Sequence, residues 1–334
     1  MNRSTIVRWL KRLFLSLVVV VTLFVFVVFP VGMSYLITNS HFRFPERGVK
    51  SPAELGLEVK SVEFTTSDGV LLKGWWNAGQ PDKPVIIFSH GLNRSRLELL
   101  ERAAESHKSG YGVLLFDLRN HGESGRAYTT LGINESLDIC AAQKFINDLE
   151  RNRPLVLWGV SLGASTAILG AKRCRGFSAI ISDSAFLSFR ETIEHHFRLI
   201  FRLPSFPVAN LIIFITSVRM GFDPDDGDVE AAVGQVGIPI LFIAGGQDRR
   251  MPPALAERML KAATHPQKKL FIVPGAGHGD AFEEEPAEYL KSVYRFLDEV
   301  RYNRPLDGNS NNGAAGSSLD GSGLRGVINT RRLP

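Results

Sequence analysis

Hydrophobic and polar residues follow three different patterns along the chain. Residues 13–37 contain no charged side chain, and residues 13–29 form an almost unbroken run of Leu, Val and Phe. Beyond residue 57, short apolar runs alternate with segments in which apolar residues recur every three or four positions. After residue 302 the chain is rich in Gly, Ser and Asn. The patterns predict an apolar helix, one folded domain and a disordered tail, in that order.

The central segment predicts strands that alternate with helices. Strands 58–65 and 70–76 are joined by a Ser-Asp-Gly sequence typical of a tight hairpin turn. Six further strands are predicted at residues 85–89, 113–117, 155–159, 179–183, 238–244 and 270–273. Helices are predicted at residues 97–109, 135–149, 162–172, 253–263 and 286–300. Because the six strands are continuous apolar runs separated by helices, we expect a mostly parallel eight-stranded sheet covered by helices on both faces.

The apolar run at residues 13–37 is long enough to cross a membrane. Twenty-five helical residues extend for about 37 Å, whereas the hydrocarbon core of a bilayer is about 30 Å thick. Residues 1–12 carry four basic side chains and no acidic one, which predicts a basic cytoplasmic N-terminus and an extracytoplasmic body. The alternatives are a cleaved signal peptide, whose apolar region would be unusually long, and a buried core helix. We therefore expect a retained single-pass anchor, followed by a linker at residues 38–57.

Charge and cysteine content exclude several classes of protein. The 334-residue chain has a formal net charge of +5, of which residues 1–37 carry +4 and residues 301–334 carry +3. The remaining residues, 38–300, carry −2, so we expect no nucleic-acid partner for the folded domain. Two cysteines, Cys140 and Cys174, are too few for a disulfide-dense scaffold. We expect buried free thiols, with an extracytoplasmic disulfide as the alternative.

The strongest chemical signal is a G-x-S-x-G sequence around Ser161. Gly159 and Gly163 flank the serine, which directly follows a predicted strand and precedes a predicted helix. Glycines at these positions allow a sharp turn, so the hydroxyl projects above the end of the sheet. The helix N-terminus behind it supplies backbone N–H groups for a developing oxyanion. We predict that Ser161 is a nucleophile, the alternative being a glycine-rich helix start.

A serine nucleophile needs a base and a residue that orients the base. His278 lies in a glycine-bordered loop after the last predicted strand, and Asp248 follows the strand before it. The chain order Ser161, Asp248, His278 matches the order used by catalytic triads on this type of sheet. Asp183, at the end of another strand, is the alternative acid. We predict Asp248 as the acid because it belongs to the loop one strand before the histidine.

An oxyanion site needs two donors. His90, Gly91 and Leu92 directly follow the predicted strand 85–89, where this kind of sheet places the second donor. We predict that the backbone N–H groups of Leu92 and Leu162 form the oxyanion hole and that His90 holds the loop in its conformation. The alternative is an ordinary turn after a strand. Five other histidines are predicted to be structural: His107, His121, His195, His196 and His265.

Residues 184–236 lie between the sixth and seventh strands and predict a short cap made of several pieces. They contain an apolar run at residues 208–218, three prolines that break any helix, and Phe186, Phe189, Phe197, Phe201, Phe206 and Phe214. Two interpretations stay open: a lid that contacts lipid, or helices that simply pack on the core. The acidic segment 223–228 lacks the spacing of a calcium-binding loop and is predicted to be a solvated turn.

Four motifs in this order resemble the α/β-hydrolase superfamily: SHGLN, GVSLG, GGQD and GAGHGD. The segment Asp117–Ser124, DLRNHGES, is similar to a structural loop of that superfamily, although Asn120 and His121 depart from its usual Gly and variable residue. With its apolar N-terminus, the chain resembles membrane-anchored serine hydrolases of the prolyl-oligopeptidase-like branch. The resemblance covers about residues 50–302 and implies an α/β-hydrolase fold at residues 58–302.

The resulting expectation is a membrane-anchored serine hydrolase that cleaves carboxylic ester, thioester or amide bonds, most simply esters. It needs no cofactor and no metal, and its partners are an acyl substrate and the membrane that holds its N-terminal helix. Three alternatives remain: a catalytically silent binding module, an acyltransferase, or a peptidase with the same triad. The motifs do not select the substrate.

Overall fold

An eight-stranded sheet organises the computed structural model, which describes residues 2–39 and 50–300. The strands are β1 Lys60–Thr65, β2 Leu71–Asn77, β3 Val85–Ser89, β4 Gly112–Phe116, β5 Leu155–Val160, β6 Ala179–Asp183, β7 Ile240–Gly245 and β8 Lys268–Val273. The order across the sheet is β1-β2-β4-β3-β5-β6-β7-β8. Strand β2 runs antiparallel to β1 and β4, and all other pairs are parallel. The predicted fold class is confirmed.

Eleven α-helices occur among the described residues. They are α1 Arg3–Leu23, α2 Phe29–Thr38, α3 Leu100–Lys108, α4 Ser136–Leu149, α5 Leu162–Cys174, α6 Phe189–Phe201, α7 Val208–Met220, α8 Val229–Val236, α9 Pro253–Ala262, α10 Ala281–Glu284 and α11 Pro286–Glu299. The predicted tail at residues 303–334 and residues 40–49 of the predicted linker lie outside the described part of the chain.

The core consists of two apolar layers, one on each face of the sheet. Along β3, Val85 and Ile87 belong to the layer under α4, α5, α8 and α9, while Ile86 and Phe88 belong to the layer under α3 and α11. Successive side chains of a strand point to opposite faces, so a strand buried on both faces must be apolar at every position. This is why the central strands appear in the sequence as continuous apolar runs.

Strand β8 differs from the prediction that all six apolar runs are covered on both faces. Only Val273 is buried, and the other five residues of β8 are partly exposed. The strand begins at Lys268, two residues before the predicted start, and pairs only with β7 at the edge of the sheet. Lysine side chains suit an edge strand, because their charged ends discourage pairing with another chain.

The two cysteines form a disulfide between α4 and α5, so the expectation of free thiols is wrong. Cys140 and Cys174 lie 5.6 Å apart at their Cα atoms. The two helices approach closely because Gly170 faces Ile139, whose side chain leaves no room for a Cβ at that position. The sequence does not show this pairing, since it depends on how two helices pack beside each other and bring together cysteines 34 residues apart.

The N-terminal apolar segment is one continuous helix. Helix α1, a π-helical turn at Phe24–Val28 and α2 follow each other without a break. The helix covers 36 residues with a mean hydropathy of 3.0 in its most apolar window, which makes it a candidate transmembrane helix by length and composition. No residue of α1 is buried, whereas Pro30, Ser34 and Thr38 of α2 are buried against the domain.

Residues 184–236 form α6, α7 and α8 with a short 3₁₀ turn at Pro224–Gly227. Helix α8 packs beside α5 and α9, and its buried Val229, Ala232 and Val233 belong to the core layer under the sheet. Helices α6 and α7 pack on each other, and α7 also packs against α2. Asp223 and Asp228 accept hydrogen bonds from the backbone N–H groups of Asp225 and Ala231, and so hold the turn before α8.

Candidate active site

Ser161 lies at the sharp turn between β5 and α5. Its backbone has φ 53° and ψ −114°, a region that residues with a Cβ rarely adopt. A Cβ at Gly159 would overlap the backbone of Gly163, and one at Gly163 would overlap the carbonyl of Ser89. The two glycines therefore let the strand, the turn and the neighbouring β3 approach closely. The turn directs the Ser161 hydroxyl away from the sheet and into a cavity.

A chain of hydrogen bonds joins the serine to a histidine and an aspartate. His278, in the loop after β8, accepts at Nε2 from the Ser161 hydroxyl over 2.8 Å. Its Nδ1 donates to Asp248 Oδ2 over 2.7 Å, with the tautomer assigned from the carboxylate partner. The other oxygen of Asp248 accepts from the backbone N–H groups of Arg250 and Met251, each at 2.8 Å. The three residues chosen from the sequence thus meet at one edge of the sheet.

Asp183, the alternative acid, lies on the other side of the turn. Its carboxylate accepts hydrogen bonds from Tyr289, at 3.0 Å, and from Ser184, at 2.9 Å, while its carbonyl accepts from the Ser161 N–H. Burial raises the pKa of Asp183, and the opposing effect of Arg102 is smaller. Since no hydrogen bond joins it to His278 among the described residues, the side chain of Asp183 supports the turn from behind.

Leu92 and Leu162 line the same cavity as Ser161. Leu162 is the first residue of α5, so no carbonyl of its own helix lies in position to accept from its N–H. Gly91, next to Leu92, approaches the serine closely: a Cβ there would lie 3.6 Å from Cβ of Ser161. Leu92 and Leu162, the two residues predicted to supply the oxyanion donors, therefore lie around the same cavity as Ser161.

His90 and Glu98 hold the loop that carries Leu92. His90 Nδ1 donates to the Gly91 carbonyl over 2.8 Å, and its Nε2 accepts from the N–H of Leu118 over 3.0 Å. Burial, and then the neighbouring His121 ring, lower the pKa of His90 to about 3, so the ring is neutral near pH 7. Glu98 accepts from the Gly91 N–H over 2.5 Å. Sequence reasoning missed Glu98, because nothing in the sequence indicates that the start of the next helix folds back onto this loop.

The Asp117 loop has the structural role that its resemblance implies. The Asp117 carboxylate accepts from the backbone N–H groups of Arg96 and Glu123, each at 2.8 Å. Gly122 packs directly on this carboxylate, where a Cβ would overlap it. His121 is buried beside His90, with ring centroids 5.1 Å apart. These contacts connect the loops after β3 and β4 and so support the position of Leu92.

A largely apolar cavity of about 350 Å³ opens at the serine. The serine, Leu92 and Leu162 lie on one side of it, and α6 and α7 of the cap on another. His196 of α6 also lines the cavity, with Nδ1 donating to the Thr192 carbonyl over 2.9 Å, and burial lowers its pKa. The sequence left this histidine as structural. The sequence alone could not show that a partly buried face of α6 turns toward Ser161.

Three residues of the N-terminal helix complete the wall: Met33, Leu36 and Ile37. Sequence reasoning assigned them to the membrane span alone, because their apolar character fits a lipid-facing helix equally well.

In the described part of the chain, no group of three or more His, Cys, Asp or Glu side chains has the arrangement of a metal site. The arrangement offers a hydroxyl, an imidazole base and backbone donors beside an apolar cavity.

The chain is similar in sequence to proteins from two bacteria and from yeast. The chain is 28% identical to the Bacillus subtilis protein YqkD over 73% of its own length and 81% of that protein, and 30% identical to Rv2307c of Mycobacterium tuberculosis over 77% and 86%. It is 23% identical to the yeast membrane protein YNL320W over 71% and 79%.

Among solved structures, the Pyrococcus furiosus esterase Pf2001 superposes with a TM-score of 0.64 at 28% identity, over 77% of this chain and 96% of the esterase. The Butyrivibrio proteoclasticus Est1E, solved with ferulic acid, has a TM-score of 0.57 at 19% identity and covers 72% of this chain and 99% of Est1E, which shows a common fold. The model of the alpha/beta hydrolase family matches residues 86–292, which include the turn at Ser161 and the loop that carries His278. The chain belongs to the alpha/beta hydrolase family.

Proposed function

We propose that this hydrolase is a membrane-anchored serine esterase that acts through an acyl-enzyme intermediate. The observation that carries the proposal is the hydrogen-bonded series Ser161–His278–Asp248 at the mouth of an apolar cavity. The similarity to an esterase at 28% identity supports the ester as the bond that is cleaved.

In the first half of the reaction, His278 accepts the proton of Ser161 as the serine oxygen attacks the ester carbonyl. Asp248 keeps the imidazole in the required tautomer and stabilises its protonated form. The N–H groups of Leu92 and Leu162 stabilise the negative charge that develops on the carbonyl oxygen. The bond to the leaving alcohol then breaks, and His278 returns the proton to the alcohol oxygen.

In the second half, water takes the place of the alcohol. His278 accepts a proton from the water, whose oxygen attacks the Ser161 ester, and the proton returns to the serine oxygen as the free acid leaves. All of these steps use groups of the chain itself and water. Since the same chemistry would cleave a thioester, the leaving group depends on what the cavity and its mouth admit.

Membrane anchoring and an extracytoplasmic domain form part of the same proposal. The basic residues before the apolar helix favour a cytoplasmic N-terminus. The Cys140–Cys174 disulfide supports placement of residues 50–300 in an oxidising compartment. Protease added to the extracytoplasmic side should digest the domain and leave the anchor helix protected. Full protection of the domain would place it in the cytoplasm instead.

The catalytic proposal is tested with matched substitutions of two buried aspartates. We expect Ser161→Ala to lower kcat on a nitrophenyl ester by a factor on the order of 10⁶, and Asp248→Asn by about 10⁴. Asp183→Asn, which alters the carboxylate behind the turn, should cost less than about tenfold. A fluorophosphonate probe should label the wild-type chain and not the Ser161→Ala variant. Full activity of Ser161→Ala, or equal losses for the two aspartate variants, would contradict the proposed roles.

A further inference from the structure

The length of the N-terminal helix places part of it beyond the bilayer core. About 20 helical residues span the hydrocarbon region. If the span begins at Leu13, the first residue after the basic cluster, about 20 residues end near Gly32. The helix continues to Thr38, so Met33, Leu36 and Ile37 lie at the membrane surface on the side of the domain.

Helix α2 is fixed to the hydrolase domain at this level. Its buried residues Pro30, Ser34 and Thr38 are four positions apart and form a single face. Arg219 of α7 donates to the Ser34 hydroxyl over 2.5 Å, and its guanidinium lies 3.5 Å from the ring centroid of Tyr35. The backbone N–H of Thr129 donates to the Thr38 carbonyl over 3.0 Å. These contacts hold α2 in one orientation relative to the serine.

The neighbouring cap helices expose apolar side chains. Five such residues are between 58% and 75% exposed: Ile200, Leu203, Phe206, Phe214 and Val218. Helix α7, which carries two of them, packs directly against α2. Large apolar side chains are rarely clustered on a surface that faces water only. Because this surface continues from the membrane helix, the occupant that fits it is the bilayer itself.

The cavity connects this surface with the nucleophile. Met33, Leu36 and Ile37 form its wall on the membrane side, and Ser161 lies in its lining with the oxyanion donors. Leu36 is 52% exposed although it lines the cavity, so the cavity wall and the lipid-facing surface meet at this residue. A chain leaving the bilayer at this point can enter the cavity without crossing water.

We infer that α2 forms one wall of an acyl-chain site and that the substrate is an ester of a long-chain fatty acid that enters from the bilayer. The cleavage step and the entry from the bilayer rest on the proposed function, whereas the binding of an acyl chain in the cavity does not. The anchor helix is then a part of the binding site as well as a tether. Each methylene buried in the cavity should raise kcat/KM by about fourfold, equivalent to about 0.8 kcal/mol.

A pair of tryptophan substitutions tests whether α2 forms a wall of the acyl-chain site. The measurement uses the full chain reconstituted in phosphatidylcholine vesicles and compares kcat/KM for a decanoyl ester with kcat/KM for an acetyl ester. Leu36→Trp should lower the ratio of the first value to the second at least tenfold, because the indole fills the entrance of the cavity. Val28→Trp is the matched control, since Val28 is 57% exposed on the same helix and does not line the cavity. Its ratio should equal that of the wild type. Equal ratios for the two variants would overturn the inference.

A second measurement does not depend on turnover. A fatty acid with a terminal diazirine is photolysed with the Ser161→Ala chain in the same vesicles, and the labelled residues are mapped by mass spectrometry. Label at Ile193 and Phe197, which are only 8% and 6% exposed and line the cavity, is expected. Leu36→Trp should reduce it at least fivefold, and Val28→Trp should not.

The outcomes separate the two proposals. Label confined to exposed side chains such as Phe214 would overturn the acyl-chain site and leave serine esterase chemistry intact. Label inside the cavity, together with a wild-type chain that cleaves no ester and reacts with no fluorophosphonate, would support the acyl-chain site and overturn the proposed hydrolysis.

Discussion

The conformation of the loop that carries Leu92 depends on the protonation state of one buried side chain, His90. The ring is fully buried and joins the Gly91 carbonyl to the Leu118 N–H through its two nitrogens. Both bonds require the neutral form with a proton on Nδ1, because Nε2 must accept. Protonation of Nε2 would remove the acceptor for Leu118 and place a charge where burial holds the pKa of His90 at about 3.

Folding stability should therefore fall on acidification in a way that depends on His90. Its pKa is about 3 in the folded chain and about 6.5 in the unfolded chain, so between pH 6.5 and pH 3 the unfolded chain binds the proton and the folded chain does not. Between pH 7 and pH 5 this removes about 2 kcal/mol from the free energy of unfolding. His90→Asn keeps a donor and an acceptor without titrating, so it should lack this decrease.

Urea unfolding in detergent micelles at the two pH values measures the difference. The wild-type chain should lose about 2 kcal/mol more than the variant, whatever the stability of the variant at pH 7. Parallel losses for the two chains would show that the ring of His90 is not held neutral in the folded state.

At the scale of elements, α4 and α5 act as one unit beneath Ser161. Helix α5 begins at the serine turn and ends at Cys174, which is bonded to Cys140 of α4. The close contact of Gly170 with Ile139 brings the two helices together four residues before the disulfide. The disulfide therefore restrains the far end of the helix whose N-terminus supports the active-site turn.

Loss of the disulfide should lower stability substantially. A bond that closes a loop of about 35 residues restricts the unfolded chain by about 4 kcal/mol in the chain-entropy model. We expect dithiothreitol to lower the midpoint of thermal unfolding of the wild-type chain. A Cys140→Ser/Cys174→Ser double variant should start at the lower midpoint and show no response to the reductant. A response in the double variant would mean that reduction acts elsewhere.

At the scale of the whole molecule, the N-terminal helix divides into two parts with different surroundings. Helix α1 has no buried residue, whereas α2 packs against α7 and contributes to the cavity. The ring of Phe29 meets that of Phe201 edge to face, with centroids 5.4 Å apart. Removal of the complete apolar segment would thus remove a wall of the candidate site as well as the proposed membrane anchor.

Two truncations separate these roles. A chain that starts at residue 24 keeps α2 and should unfold at the same temperature as the full chain. A chain that starts at residue 39 exposes the surface beneath α2 and should lose about 3 kcal/mol, which corresponds to a midpoint about 10 °C lower. Differential scanning calorimetry in detergent compares them. Equal midpoints would show that α2 serves only as a tether.

Much of the fold could be predicted because its rules are local. Strands buried on both faces must be apolar at each position, so β3 and β6 were predicted at their observed bounds. Strand ends in a parallel sheet meet at one edge, so Ser161, Asp248 and His278 could be placed together although they are far apart in the chain. The glycines around the serine could be recognised because no other residue fits that turn.

Other features depend on how distant segments pack. Helix periodicity does not say which helix lies beside which, so the Cys140–Cys174 bond and the contact of Glu98 with Gly91 are visible only in the folded chain. An apolar helix also has the same composition whether lipid or protein covers it. The pattern of residues 13–37 thus established a helix able to span a bilayer, while the docking of Met33, Leu36 and Ile37 at the cavity follows from three-dimensional packing alone.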